Sequence, residues 1–188
     1  MPRLTPDEVI LGLLKAHPTH GYELLETFHD RARLGRIWNM STSQLYAVLK
    51  RLEENSAITG REVPSKDAPS RTEYTLTDLG GERLKAWLAE THPPTSIHRI
   101  RVQFLSRLYI AALLDLPSDG IIARQLAVCE AQRDAVQLEA ERTESPVEAL
   151  TLDFVLGQLS ACIAWLNHCQ TNPLKIPPDV PNTDGHQK

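Results

Sequence analysis

The sequence predicts a mainly α-helical fold with one small β-hairpin, and three observations predict it. Aromatic residues make up only 5% of the 188 residues while Ala and Leu abound, a balance that favours helix over sheet. Apolar residues recur at helical spacing along most of the chain. The spacing turns to strand-like alternation in one stretch alone, between Ile58 and Leu76.

The elements follow in order. Thr5-Pro6-Asp7-Glu8 has the form of a capping box with Pro at the first helical position, Thr5 capping and Glu8 reaching back. Val9, Ile10, Leu13 and Leu14 form the stripe of this first helix, and His17-Pro18 ends it. A second helix is predicted from Thr19 to Phe28. Tyr22, Leu25 and Phe28 share one face, and Gly21 permits a close helix approach. Asp30 to Asn39 is a basic connector containing Gly35. Ser41-Thr42-Ser43-Gln44 is a second capping box and opens a third helix. Leu45, Val48, Leu49 and Leu52 form its buried stripe, which leaves Thr42, Ser43, Gln44, Tyr46, Lys50 and Arg51 on other faces.

Ile58 and Arg61 to Val63 read as a strand, Pro64 to Ser70 as a turn-rich tip, and Thr72 to Leu76 as the returning strand. Thr77 then caps a fourth helix with Leu79, Leu84, Trp87 and Leu88 on its inner face. Three short helices, a hairpin and another helix, in that order, describe a winged helix-turn-helix with the hairpin as its wing. In that fold the third helix is placed to enter the major groove of double-stranded DNA.

His92-Pro93-Pro94 breaks the chain and divides it into a winged-helix DNA-binding domain, 1–91, and a helical dimerisation domain, 95–171. Three longer helices are predicted in the second half: Ile97 to Leu114, Pro117 to Thr143, and Pro146 to Gln170. In the last, Leu152, Val155, Leu159, Ile163 and Leu166 step along one stripe, with Leu156 and Cys162 beside it. Three helices without a compact fourth partner are expected to pair with a second copy, giving a homodimer. The Pro-, Asn- and Asp-rich tail, 172–188, is expected to be disordered.

Charge narrows the function. The chain is net −4, yet the segment from Arg31 to Arg71 holds eight basic residues against four acidic ones. A basic island of this kind can bind phosphates within an acidic protein. Cys129, Cys162 and Cys169 fit neither a disulfide framework nor a zinc site, so neither metal nor cofactor is expected. There is no basic leader with an apolar core and no uninterrupted apolar run long enough for a bilayer. The sequence therefore predicts a cytoplasmic protein without a membrane partner. Gly80-Gly81 opens a helix without a G-x-G-x-x-G pattern, and no acid–base set converges, so no enzyme and no catalytic residue is expected.

The chain resembles the PadR family of bacterial regulators. The matching pieces are Ile10-Leu11-Gly12-Leu13-Leu14, His20-Gly21-Tyr22-Glu23-Leu24, Gln44 through Glu53, and Arg71 through Thr77. The second half is similar to the longer, virulence-activator-like C-terminal domain of one PadR subgroup, by architecture and length. Two positions depart from the family pattern. Asn55-Ser56 stands where a Gly usually follows the recognition helix, and Asn tolerates a left-handed cap. Pro69-Ser70-Arg71-Thr72 replaces a more basic approach to the second wing strand. The resemblance implies a homodimeric regulator, most often a repressor, that binds a palindromic operator. It also implies release from DNA by a small hydrophobic or aromatic effector.

The DNA-contact residues expected from this reading are Thr42, Ser43, Gln44, Tyr46, Lys50 and Arg51 on the third helix, with Lys66 and Arg71 on the wing. Gln can read adenine with two hydrogen bonds, and Ser or Thr can take base or phosphate. Tyr46 can instead pack against the second helix. Trp38, Trp87 and Trp165 can stack on an aromatic ligand or pack in a core, and Trp165 is the effector-binding candidate. Cys162 and Cys169, seven apart, read as buried apolar thiols or as a redox pair. The competing function is a winged-helix module that binds protein without reading DNA sequence.

Overall fold

The computed structural model describes residues 4–64, 71–172 and 174. Two expectations, Lys66 and nearly all of the 172–188 tail, lie outside the described residues. The first half runs α1 (Asp7–Ala16), β1 (Thr19–His20), α2 (Gly21–His29), α3 (Thr42–Glu54), β2 (Ile58–Val63), β3 (Arg71–Leu76) and α4 (Asp78–Leu88). The second half runs α5 (Ile97–Arg99), a π-helical turn (Ile100–Phe104), α6 (Leu105–Leu113), α7 (Asp119–Ala140) and α8 (Pro146–Thr171). The mainly α fold with a β wing is as the sequence predicts.

Three local expectations are corrected. The capping box at α1 does not form: Pro6 takes the cap position without a side-chain bond, and Glu8 turns instead to Arg83 on α4. Thr19-His20 is not helical but pairs with Tyr74 and Glu73, so the hairpin becomes a three-stranded antiparallel sheet of order β1-β3-β2. Leu79 is 58% exposed, and α4 instead buries Gly80 and Leu84. At Gly80 a Cβ would lie 2.1 Å from the Ala57 carbonyl, so only glycine allows α4 to meet the start of β2.

The first core joins Leu11, Leu24, Phe28, Leu34, Leu45 and Leu49, and it also takes in Tyr109 and Ile110 of α6. The halves are tied further by polar bonds. Trp38 donates to the Ser106 hydroxyl at 2.9 Å. Arg107 donates to the Trp87 carbonyl, and Arg124 to the Leu88 and Glu90 carbonyls, each at 3.0 Å. These two cations satisfy the open carbonyls at the end of α4 and complement its dipole.

α7 and α8 pack along each other in opposite directions. Ile121 and Ile122, early in α7, share a core with Ile163 and Leu166, late in α8, while Val136 meets Leu152 and Leu159. α8 is 26 residues with a mean hydropathy of 1.6 over its most apolar stretch, long and apolar enough to cross a membrane by length and composition. Asp153, Gln158 and Asn167 interrupt it, which is why no uninterrupted run appears in the sequence. Its surplus of apolar surface is exposed at Val147, Leu150 and Phe154.

Candidate nucleic-acid interface

The site begins with the start of α3. Ser41 has extended backbone, its hydroxyl accepts from the Gln44 N–H at 3.3 Å, and the Gln44 carboxamide oxygen accepts from the Ser41 N–H at 2.9 Å. The capping box read in the sequence is therefore formed. Leu45, Leu49 and Leu52 are fully buried and Val48 nearly so. Each such side chain stabilises the packed helix by about 1.5–3 kcal/mol. The same packing turns Thr42, Ser43, Gln44, Tyr46 and Lys50 to solvent. No acidic residue occupies the first turn, so no side-chain charge there neutralises the positive end of the helix dipole.

Each predicted residue has a distinct position. Lys50 is 79% exposed and only 3.8 Å from Glu54, a surface pair that a phosphate can displace. Tyr46 packs against the second helix, one of the two roles the sequence allowed. Its ring lies against Gly21, where a Cβ would come within 3.0 Å of the hydroxyl, yet 47% of the residue stays open. Arg71 opens β3 and is exposed. Gln44 keeps its oxygen on Ser41, which leaves the amide N–H groups to donate outward.

Arg51 lies apart from this face. Its Nε and Nη2 donate to the two oxygens of Asp7 at 3.1 and 2.7 Å, and Asp7 is 3% exposed. Arg83 of α4 lies 3.6 Å from the same carboxylate and 2.7 Å from Glu8. Burial alone would push the Asp7 carboxyl up. The hydrogen bonds from Arg51 and Thr5 and the charges of Arg51 and Arg83 outweigh it and hold the group below its ordinary value.

A cleft of about 540 Å³ opens between α2, α3 and β3, lined by His20, Tyr22, Tyr46, Arg71, Thr72 and Tyr74. Tyr22 shares a face with Leu25 and Phe28 by spacing, yet unlike them it is 66% exposed, at this cleft. The signal was present. Leu24, Leu25 and Phe28 already complete a buried face, and Tyr22 lies about 200° around the helix from Leu24. His20 reaches the cleft because β1 pairs with β3, where its Nδ1 donates to the Thr72 carbonyl at 3.2 Å.

Elsewhere, Trp165 packs edge-on to Phe104 with centroids 5.7 Å apart and remains 38% exposed. Trp87 lies under the Arg107 guanidinium. The three cysteines are free, Cys129 wholly buried, and burial pushes all three thiols up. Among the described residues no group of three or more His, Cys, Asp or Glu side chains is placed to hold a metal ion.

A capped helix with a free polar face, backed by two helices and flanked by a β wing, is the arrangement of winged-helix DNA-binding proteins. The sequence profile of the transcriptional regulator PadR-like family matches residues 10–86. The negative transcriptional regulator PadR of Bacillus subtilis is 30% identical over 149 residues, which cover 77% of this chain and 80% of that protein. The crystal structure of Bacillus subtilis PadR in complex with operator DNA is similar, with 26% identity and a TM-score of 0.45, covering 88% of this chain and 97% of that one. The same protein in complex with p-coumaric acid gives 25% identity and a TM-score of 0.41, covering 88% and 93%. The chain belongs to the PadR-like family and is a DNA-binding transcriptional regulator, not an enzyme.

Proposed function

We propose that this chain is a homodimeric cytoplasmic repressor that reads a palindromic operator and releases it when a small aromatic effector binds. The observation that carries the reading is the open first turn of α3. Thr42, Ser43 and Gln44 stand exposed at an acid-free helix start whose geometry the capping box holds fixed. Tyr46 and Lys50 extend that surface, and Arg71 adds a wing contact to the backbone, with Lys66 assigned to the same role. Arg51 is left out of the contact set because its guanidinium is held by Asp7.

DNA reading is assigned to 1–91 and assembly and effector sensing to 95–171. The exposed Leu138, Val147, Leu150 and Phe154 lie at one end of the α7–α8 pair and form a face suited to a second copy. Two such copies would place their α3 helices on half-sites about one helical turn, ~34–36 Å, apart. Trp165, packed on one edge and open on the other, is proposed to meet the effector. The Bacillus relative's complex with p-coumaric acid supports an aromatic acid as its class. An effector that prefers a different dimer geometry would lower operator affinity by shifting the population.

The reading is tested with DNA from upstream of the gene. Wild type should protect a palindrome there. Gln44→Ala combined with Lys50→Ala should lose the footprint while keeping its fold by circular dichroism. An unchanged footprint would remove α3 from the contact surface.

A further inference from the structure

We propose that Asp7 is a positioning residue for DNA reading. Through Arg51 it fixes the pose of α3, an inference that rests on the reading role assigned to that helix. Asp7 opens α1 and is 3% exposed, and both of its oxygens accept from one planar guanidinium at 3.1 and 2.7 Å. A two-point bond of this kind sets orientation as well as distance. The apolar stripe of α3 sets which face is buried, and the driving force for that burial is non-directional. The pair adds a directional restraint on the rotation and tilt of the helix.

Leverage makes the position matter. Arg51 is nine residues from Thr42, about 13 Å along the helix. A tilt of about 10° at Arg51 would move Thr42, Ser43 and Gln44 by about 2 Å, more than a recognition contact tolerates. The anchor itself is held from two other sides. Arg83 binds Asp7 and Glu8 from α4, the helix that follows the wing. Gly12, one and a half turns along α1, lies against Ile110 of α6. The low-lying Asp7 carboxyl stays charged across the physiological range, so the clamp is permanent.

The rival role for Arg51, which is 42% exposed, is a direct phosphate contact. A duplex selected by the wild-type protein from a random pool, and an unrelated duplex of equal length, separate the two. Arg51→Lys keeps the charge but loses the two-point bond. If Asp7 positions α3, Arg51→Lys and Asp7→Asn each weaken the selected duplex by about tenfold or more, the scale of a base contact. The unrelated duplex and the salt slope change little, and the double variant is no worse than either single one.

If Arg51 contacts phosphate, Arg51→Lys binds as wild type. Arg51→Met then weakens both duplexes alike and lowers the salt slope by about one. That result would overturn the proposal. Thermal unfolding of wild type, Arg51→Lys, Asp7→Asn and the double variant reads the clamp without DNA. Additive losses would overturn it, whereas non-additive losses with no duplex selected by wild type would overturn the reading role of α3 alone.

Discussion

Gly12 of α1 and Ile110 of α6 are in such close contact that a Cβ on the glycine would lie 2.4 Å from Ile110 Cγ2. Ile110 is completely buried, so its side chain has no free direction in which to yield. This contact locks the reading half of the molecule to the helical half. Gly12→Ala should therefore destabilise the protein by about 1–3 kcal/mol despite the better helix propensity of Ala. Ile110→Ala removes all three crowded atoms, so the double variant should lose less than the sum of the two single losses. Denaturant midpoints of the four proteins measure this, and additive losses would contradict it.

The capping box at Ser41 does two jobs, closing the backbone of α3 and holding Gln44. Ser41→Ala should cost about 1 kcal/mol of stability. It should also remove the hydroxyl's 3.2 Å hydrogen bond to the Gln44 carboxamide oxygen, leaving that oxygen only the backbone N–H of residue 41, and so loosen Gln44 and weaken the selected duplex without altering the salt slope. Chemical denaturation and duplex titration read the two effects separately.

How much of this was legible beforehand follows from range in sequence. The box and stripe of α3 are local, set by residues within four positions of one another, and both were read correctly. β1 was missed because its two residues are extended only by pairing with Tyr74 and Glu73, more than fifty residues away. The Asp7–Arg51 pair was missed for the same reason, being 44 residues apart. Residue-type logic therefore assigned Glu8 to a cap. The left-handed residue after α3 is Ser56, at φ 55°, and Asn55 keeps a negative φ. The turn was foreseen but placed one residue early.

Acid should reveal the clamp. The Asp7 carboxyl is held below its ordinary value in the folded state, so its stabilisation is complete above the unfolded value and fades as pH falls through the folded one. Asp7→Asn should accordingly flatten the acid limb of the stability curve and leave its shape near neutrality unchanged. Urea midpoints from pH 7 down to pH 3 check this. An unaltered acid limb would mean that Asp7 gains nothing from Arg51.

The thiols should be inert. Burial raises Cys129, Cys162 and Cys169 alike, which lowers the thiolate fraction at any pH below their titration. A thiol reagent at pH 7.5 should modify the native protein much more slowly than the denatured one, and mild peroxide should leave duplex binding intact. Fast native modification coupled to loss of binding would instead favour the redox reading of Cys162 and Cys169.

The exposed apolar end of the α7–α8 pair should be an interface between copies. Leu150 and Phe154 are 73% and 66% exposed in the single chain. Leu150→Asp with Phe154→Asp should shift the protein to monomer by sedimentation velocity while preserving helix content. A wild-type monomer at micromolar concentration would contradict the proposed dimer.

The central claim is that α3 and the basic island around it bind duplex DNA in spite of a net charge of −4. Duplex affinity across a range of salt concentrations tests it most directly. The account predicts a linear fall of log affinity with log salt, steeper than the loss of one counterion and near −0.9 per phosphate contacted, with one sequence preferred over unrelated DNA. Duplex binding that is absent, or that does not change with salt, would contradict it.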